Sequence, residues 1–283
     1  MYQKIVSLIG TTRGGRDIEI RRLLDSLVSS KEHIEIIFVD QSESVGIKKL
    51  FAHFDGVLRY KLVESTPCSL SQARNIGLEY ATGFIVGFCD DDAYYPESFF
   101  IDLIKRAPYN EEVVLCLPVV DKKSMGFYGG RTFPNVDKEM SYLEVLRYSL
   151  SVGSFIVRNY SFDWRFNPLL GVGAKYGGSE ETDFILQLKS NDFRTIYMTA
   201  PYVYHDNDAL PLKDPLLGKK YFSYAVGYAV VLKKHMKSSG YSLIIEVGNV
   251  IFRSAAGVLL SKRRAICYNR LLGFIKGLLC FKL

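Results

Sequence analysis

The apolar run at residues 84–89 ends directly in three consecutive aspartates, Asp90, Asp91 and Asp92. This junction constrains the fold more than any other feature of the chain. An apolar run of this length is typical of a buried strand. Like charges on adjacent residues repel one another, and a bound cation offsets that cost. The pattern therefore predicts a strand with a cation site at its carboxyl end, which indicates phosphate chemistry.

Strands and helices alternate through the first half of the sequence. Apolar runs predict strands at 4–9, 34–39, 58–63 and 84–89. Helices are predicted from Asp17 to Ser29 and from Ser69 or Ser71 to about Tyr80, and a turn-rich loop at 10–16. Strands separated by helices indicate an α/β fold with a doubly wound, mostly parallel sheet. Because ligands bind beyond the carboxyl ends of such strands, we expect Thr11–Arg16, Asp40 and the aspartates to line one crevice.

The pattern continues less regularly after residue 110. A buried strand is predicted at 113–120, a short helix at 143–148, a strand at 154–157, a helix at 184–189, and strands at 195–198 and 202–204 that lead to His205. Glu180, Glu181 and Asp183 open the helix at 184–189, and carboxylates suit a helix N-terminus because the macrodipole is positive there.

Composition excludes several classes of protein. With 283 residues and 48% hydrophobic content, the chain can bury a large core. Its five cysteines are an odd number without CxxC spacing, which argues against a disulfide framework and a structural zinc site and favours a reducing compartment. The N-terminus lacks the features of a signal peptide. These features predict a cytoplasmic protein.

The last 68 residues, 216–283, have a different character. They predict helices at about 221–237, 241–261 and 264–281, in which lysines and arginines alternate with aliphatic residues. Glu246, Asn249 and Arg253 interrupt the longest apolar stretch, so a transmembrane helix is not expected. Basic amphipathic helices suit an anionic membrane surface, although packing against a second copy or against the core are alternatives. Cations placed among aliphatic residues without a nucleic-acid motif argue against nucleic-acid binding.

An ordered set of motifs resembles a known family. The motifs are Thr11 and Arg13 after the first strand, Val39-Asp40, Ala73-Arg74-Asn75-Ile76-Gly77, the three aspartates with Pro96, Glu180-Glu181-Thr182-Asp183, and Tyr204-His205. In this order they resemble the inverting nucleotide-sugar glycosyltransferases of family 2, which have the GT-A fold. The resemblance covers roughly residues 3 to 210. It implies a GT-A domain at 1–215, with a nucleotide-sugar-binding half at 1–120 and an acceptor and catalytic half at 121–215, followed by a basic helical extension at 216–283.

The resemblance also implies roles for individual residues. The nucleotide-sugar would bind to Thr11, Arg13, Asp40, Arg74, Asp90 and Asp91, with Asp91 at the variable position of the Asp-X-Asp motif. The metal, Mn²⁺ or Mg²⁺, would bind to Asp92, Asp90 and His205. Glu181 matches the catalytic base, and Glu180 and Asp183 stay open as alternatives. Asp40-Gln41-Ser42 departs from the family's usual Asp-Asp-Gly-Ser, and Glu180-Glu181 from its usual Glu-Asp.

A UDP-sugar donor and a saccharide or polyprenyl-linked acceptor follow from the same resemblance. The implied process is synthesis of a bacterial surface polysaccharide of the O-antigen type at the cytoplasmic face of the inner membrane. Two alternatives remain at this stage. The segment Gly10–Arg16 is similar to the glycine-rich loop of sugar-phosphate nucleotidyltransferases, and a non-catalytic nucleotide-binding or membrane-associated protein would tolerate neutralisation of Glu181 and Asp92.

Overall fold

The computed structural model describes residues 6–158, 163–207 and 215–280. An eight-stranded sheet forms its centre, in the order β3-β2-β1-β4-β9-β6-β10-β8, and a three-stranded sheet, β5-β11-β7, lies beside it. The strands are β1 Val6–Thr12, β2 Ile34–Asp40, β3 Tyr60–Glu64, β4 Ile85–Cys89, β5 Ala93–Tyr94, β6 Val113–Cys116, β7 Val119–Val120, β8 Lys138–Glu139, β9 Ser154–Val157, β10 Arg194–Tyr197 and β11 Val203–His205.

The first four strands of the large sheet run parallel to one another. β1 pairs with β2 and β4, and β2 pairs with β3. β9 is antiparallel to both β4 and β6, so it separates this parallel half from the parallel pair β6 and β10. β1 and β4 are buried along their whole length, as expected for strands with helices on both faces. The predicted α/β class and mostly parallel sheet are confirmed.

Helices cover the sheet and pack closely against it. Those of the first 207 residues are α1 Asp17–Leu27, α2 Val45–Ala52, α3 Leu70–Leu78, α4 Phe99–Arg106, α5 Tyr142–Tyr148 and α6 Glu180–Lys189. α3 begins at a capping box in which Ser69 and Gln72 satisfy each other's backbone N–H groups. A Cβ atom at Gly77 would lie 2.4 Å from Cγ2 of Ile9, so glycine at this position lets α3 approach β1. This close packing fixes the position of α3 relative to the carboxyl end of β1.

Several sequence predictions need correction. β1 continues through Thr12, because Gly10, Thr11 and Thr12 pair with β2, so the predicted loop at 10–16 is shorter. The single strand predicted at 113–120 is two strands in different sheets, since Pro118 has no N–H group to donate to a ladder. Helices α2 and α4 were not predicted. The start of the strand predicted at 4–9 and the end of the helix predicted at 264–281 lie outside the described residues.

Three helices follow the central domain, α7 Pro215–Lys234, α8 Ile244–Leu260 and α9 Arg264–Cys280. α9 packs against both α7 and α8, and α7 also contacts α6. A Cβ atom at Gly227 would lie 2.0 Å from the carbonyl oxygen of Gly177, so α7 approaches the backbone before α6 as closely as glycine allows. Throughout the described ranges, no helix combines the length and apolar character needed to cross a membrane. The division of the chain at 215 stays a prediction.

Candidate active site

The carboxyl ends of β1, β2 and β4 bring together the polar residues that follow these strands. Thr12 pairs with Asp40 in the sheet register, and Gly10 pairs with Cys89, which directly precedes the aspartates. Adjacent parallel strands end at the same edge of a sheet, and ligands bind at that edge in open α/β folds. The topology therefore places the three predicted segments side by side.

Asp90, Asp92 and His205 form one cluster at this edge. One ligand atom from each residue lies within 4.8 Å of the other two. His205 Nε2 is 3.1 Å from Asp92 Oδ1 and 3.7 Å from Asp90 Oδ2. Its Nδ1 lies 2.9 Å from the carbonyl oxygen of Asp206 and is placed to donate to it, which leaves Nε2 directed at the carboxylates. Two carboxylate oxygens and an oriented imidazole nitrogen fit Mn²⁺ or Mg²⁺ as a donor set.

The pKa values of this cluster reflect charge compensation. Burial lowers the pKa of His205, but hydrogen bonds with Asp90 and Asp92 outweigh it and raise that pKa to about 10. Burial is the largest single influence on Asp90 and Asp92 and raises their pKa. The hydrogen bond and positive charge of His205, together with the charge of Arg74 at Asp90 and of Arg16 at Asp92, outweigh burial, so both pKa values are lowered. Both carboxylates are therefore held in the charged form that binds a cation.

Asp91 points to different partners from those of Asp90 and Asp92. Thr12 Oγ1 donates to its Oδ2 over 2.7 Å, and Arg16 Nε lies 3.5 Å from its Oδ1. Burial raises the pKa of Asp91 despite the hydrogen bond from Thr12. Arg16 also reaches Asp92, with Nη1 2.5 Å from Oδ2. The middle aspartate thus ties the aspartate turn to the end of β1.

Arg74 connects the aspartates to helix α6. Only 1% of this residue is exposed, and its guanidinium donates to Asp90 over 3.1 Å and to Glu180 over 3.2 Å. It projects from α3, whose position is fixed by its capping box and its close contact with β1. A buried cation held by two acids keeps its geometry, because moving it would leave a charge unpaired.

The three acids in the first turn of α6 have three different environments. Glu180 is 5% exposed, and burial, followed by the negative charge of Glu181, raises its pKa to about 8 even though Arg74 opposes the shift. Its Oε2 is buried without a hydrogen-bond partner. Asp183 is fully buried and accepts hydrogen bonds from Lys234 Nζ and His235 Nε2, each over 2.8 Å. Glu181 is half-buried and lines a cavity.

Two adjoining cavities lie along this edge and share several residues. One has a volume of about 480 Å³ and is lined by the three aspartates, His205, the loop after β1 and part of α7. The other has a volume of about 340 Å³ and contains Glu180 and Glu181. Both are lined by Leu70, Asp90, Tyr128, Val172, His205 and Tyr224. We call them the donor groove and the acceptor cavity, after the roles that we propose for them below.

Most of the predicted site residues lie along these two spaces. The donor groove is lined by Thr11, Arg13, Asp90, Asp91, Asp92 and His205, and the acceptor cavity by Arg74, Asp90, Glu180, Glu181 and His205. Asp40 instead lines a separate depression of about 420 Å³ beside α2, where its Oδ1 accepts hydrogen bonds from the backbone N–H and hydroxyl of Ser42. Asp183 lines none of these spaces, because it pairs with α7.

The structure adds lining residues that the sequence interpretation missed. Lys220 and Tyr224 of α7 line the donor groove, and Tyr224 and Tyr228 line the acceptor cavity together with Arg131. The signal in the sequence is the spacing of Lys220, Tyr224 and Tyr228 at four-residue intervals, which places them on one face of a helix. Nothing local indicates that this face turns towards the aspartates.

Comparison with known proteins is consistent with this geometry. The profile of the family described as "Glycosyl transferase family 2" matches residues 18–166, which is more than half of the chain. No curated protein matches the chain by sequence.

Solved structures share the fold at low sequence identity. A crystal structure of residues 1–349 of TarS from S. aureus is 17% identical, with a TM-score of 0.64 over 97% of this chain and 81% of that one. The same region of TarS in complex with UDP-GlcNAc is 16% identical, with a TM-score of 0.59 over 96% and 91%. The mannosyltransferase PcManGT from Pyrobaculum calidifontis, in complex with GDP-Man and Mn²⁺, is 15% identical, with a TM-score of 0.64 over 100% and 89%.

Proposed function

The chain belongs to glycosyl transferase family 2 and is a nucleotide-sugar glycosyltransferase with a GT-A fold, and from this premise we propose that it is a metal-dependent inverting enzyme with a UDP-sugar donor. One observation carries this proposal. The cluster of Asp90, Asp92 and His205 adjoins a cavity that is lined by Glu181. A site for the departing diphosphate and a base for the acceptor are thus both available.

The proposed metal site consists of Asp90, Asp92 and His205. Mn²⁺ or Mg²⁺ bound there would stabilise the negative charge that develops on the nucleoside diphosphate as it leaves. His205 presents Nε2 because its Nδ1 faces the carbonyl oxygen of Asp206. The Mn²⁺ in the complex of the mannosyltransferase PcManGT supports the choice of metal class.

The proposed donor site extends from the aspartates across the end of β1. Thr11 and Arg13 contact the nucleotide and its phosphates. Arg74 contributes to this site by its ion pair with Asp90. Asp40 binds the base in the depression beside α2, with its carboxylate already oriented by Ser42. The complexes of TarS with UDP and with UDP-GlcNAc support a uracil nucleotide as the donor base.

Glu181 is the proposed catalytic base. Its carboxylate takes the proton of the acceptor hydroxyl while the acceptor oxygen forms a bond to the anomeric carbon. The bond from that carbon to the diphosphate oxygen breaks in the same step, so the anomeric configuration inverts. Glu180 is a weaker candidate because a pKa of about 8 keeps it largely protonated at neutral pH, and Asp183 is held by Lys234 and His235.

The acceptor is proposed to be a saccharide or a polyprenyl-linked saccharide in the synthesis of a bacterial surface polysaccharide of the O-antigen type. The enzyme would then work at the cytoplasmic face of the inner membrane, to which it binds peripherally. The strongly basic helices of the extension support this location.

The experiment that tests the proposal measures release of nucleoside diphosphate from a panel of UDP-, GDP- and dTDP-sugars, with Mn²⁺ and with a chelator. We expect nucleoside diphosphate to be released from a UDP-sugar when Mn²⁺ is present. The chelator should abolish this release. Asp92→Asn should reduce it on the order of 10²- to 10³-fold, because a charge next to the leaving group is lost. Asp25→Asn, at an exposed acid on α1, is the matched control and should leave the rate unchanged.

Either of two results would contradict the proposal. If nucleoside diphosphate were released equally fast with Mn²⁺ and with chelator, the reaction would not depend on a metal. Retention of the anomeric configuration, observed by NMR of the product, would exclude a single displacement from the face opposite the diphosphate.

A further inference from the structure

The outward stripe of helix α8 is apolar along its whole length. Ile244, Ile251, Phe252 and Leu259 recur at the spacing of one helical face, and 55%, 39%, 74% and 72% of these residues are exposed. Gly248 and Ala255 fill the positions between them. Single exposed apolar residues are common on soluble proteins, but a continuous stripe of large ones marks an interaction surface.

A second apolar face of α8 packs against the other helices of the extension. Val250 is buried in a cluster with Ala225 and Leu232 of α7 and Phe274 of α9. Glu246, Asn249 and Arg253 lie on the arc between these two apolar faces, so the helix has a polar side as well. At about 1.5 Å per residue, the 17 residues of α8 extend about 25 Å, less than the roughly 30 Å of a bilayer's hydrocarbon core. Its length therefore favours lying along a surface.

Charge distinguishes the possible occupants of this stripe. Eleven lysines and arginines and one acid, Glu246, lie between residues 215 and 280. Lys262, Arg263 and Arg264 are exposed directly after α8, and Arg253 is exposed on the helix itself. Glu246 accepts a hydrogen bond from the hydroxyl of Tyr228, so this acid already has a partner. A second copy would bring two strongly basic surfaces together, whereas an anionic lipid surface complements them.

We propose that α8 lies in the interface of an anionic membrane, with Phe252 and Leu259 among the acyl chains and Lys262, Arg263 and Arg264 at the lipid phosphates. Amphipathic helices bind this way when apolar burial and attraction to anionic headgroups act together. This proposal deepens the peripheral membrane location given above, and it names the element, the side chains and the class of lipid.

The same helix connects the lipid surface to the acceptor cavity. Tyr228 lines that cavity, and its hydroxyl donates to Glu246 of α8 over 3.1 Å. Burial, followed by the charge of Glu246, raises the pKa of Tyr228, so its hydroxyl stays a donor. Docking through α8 thus sets the acceptor cavity close to the membrane, where the saccharide of a lipid-linked acceptor would reach Glu181. This last consequence rests on the proposed function, whereas lipid binding itself does not.

The test is co-sedimentation of the full chain with vesicles, without donor or acceptor. Vesicles of equimolar phosphatidylglycerol and phosphatidylcholine are compared with vesicles of phosphatidylcholine alone. One variant carries Phe252→Glu and Leu259→Glu, and a second replaces the three cations at 262–264 by glutamine. The matched control carries Ile18→Glu and Val136→Glu, at apolar residues of the central domain that are 84% and 58% exposed. Circular dichroism checks that each variant is folded.

We expect the wild type and the control to bind the anionic vesicles equally well. The double glutamate variant should bind them about a hundredfold or more weakly, because two large apolar side chains no longer enter the lipid. The triple glutamine variant should also bind them about a hundredfold more weakly, with its weak binding to phosphatidylcholine unchanged.

Equal binding by the wild type and the double glutamate variant would overturn the proposal. So would a wild-type dimer in light scattering that the double glutamate variant loses, because a second copy would then cover the stripe. Because no substrate is present, these outcomes are independent of the test of the glycosyltransferase reaction.

Discussion

Two short segments of this protein each carry three acids, and the structure uses them in opposite ways. Asp90, Asp91 and Asp92 follow a strand, and two of them converge on His205. Glu180, Glu181 and Asp183 lie in the first turn of a helix, and each of them has a different environment. The aspartate segment forms one shared cluster, whereas the three acids of the helical segment each have separate surroundings.

Backbone geometry accounts for this difference. After β4 the chain turns back, with Ala93 N–H donating to the carbonyl oxygen of Asp90 over 3.2 Å, and this turn lets alternate side chains face one centre. In α6, positions three apart lie on the same face, so Glu180 and Asp183 are both buried, whereas Glu181 is rotated by about 100° from Glu180 and about 160° from Asp183. A dense run of acids in a sequence therefore does not by itself indicate a shared site.

The largest expected effect tests whether Glu181 alone does the chemistry in the helical segment. Glu181→Gln keeps the size of the side chain and removes its ability to accept a proton. We expect the rate of sugar transfer to fall about 10²- to 10⁴-fold, the usual contribution of a general base. The affinity for the nucleoside diphosphate, measured by calorimetry, should stay the same, because Glu181 does not line the donor groove. An unchanged transfer rate would give the role of base to another residue.

The fold could be predicted from the sequence more readily than the choice of Glu181 as the base. The strands β1, β2 and β4 have continuous apolar runs, and the aspartates directly follow one of them, so the sheet edge was predictable from local pattern. Helices α2 and α4, of eight residues each, were missed, although the seven-residue helix α5 was predicted. The site residues of α7 could not be found because their contacts join positions far apart in the chain.

The choice among the acids of α6 was open for a related reason. In a helix with one exposed face, periodicity would have shown which acid points outward. α6 is buried at most of its positions, so its sequence carries no such contrast. The environment of each acid is instead set by distant partners, Arg74 for Glu180 and the pair Lys234 and His235 for Asp183.

The next largest effect tests whether Asp183 is structural. Asp183→Asn leaves Lys234 and His235 without their carboxylate. Removing one partner of a buried pair typically costs about 3–5 kcal/mol, and we expect about 2–4 kcal/mol here because Lys234 is partly exposed to water. For a domain of this size that lowers the midpoint of thermal unfolding by roughly 5–10 °C.

The rate of transfer per folded molecule separates this role from catalysis. For Asp183→Asn it should stay within about tenfold of the wild type, far above that of Glu181→Gln. The double variant Asp183→Asn, Lys234→Gln should be less destabilised than the sum of the two single variants, because both lose the same contact. A loss of rate without a loss of stability would instead make Asp183 the base.

A smaller effect, seen as pH dependence, tests the environment of Glu180. Its pKa rises from 4.5 to about 8 on folding, so the folded protein binds this proton more tightly than the unfolded chain. Its contribution to the free energy of unfolding is therefore fully present below pH 4.5 and is lost as the pH rises through about 8. Glu180→Gln should flatten the decline in urea stability between pH 5 and pH 9. The exposed Glu79→Gln is the control and should keep the wild-type slope.

The smallest expected effect tests whether Asp91 is separate from the site that its two neighbours share. Asp91→Asn keeps an oxygen that can accept the hydrogen bond from Thr12, and Arg16 retains its contact with Asp92. We expect the transfer rate to fall less than about tenfold, since the lost ion pair with Arg16 is partly exposed. The Mn²⁺ concentration for half-maximal activity should be unchanged, whereas Asp92→Asn should raise it. If Asp91→Asn lost as much activity as Asp92→Asn and also needed more Mn²⁺, all three aspartates would belong to one metal site. Asp91 would then not have a separate role in linking the aspartate turn to β1.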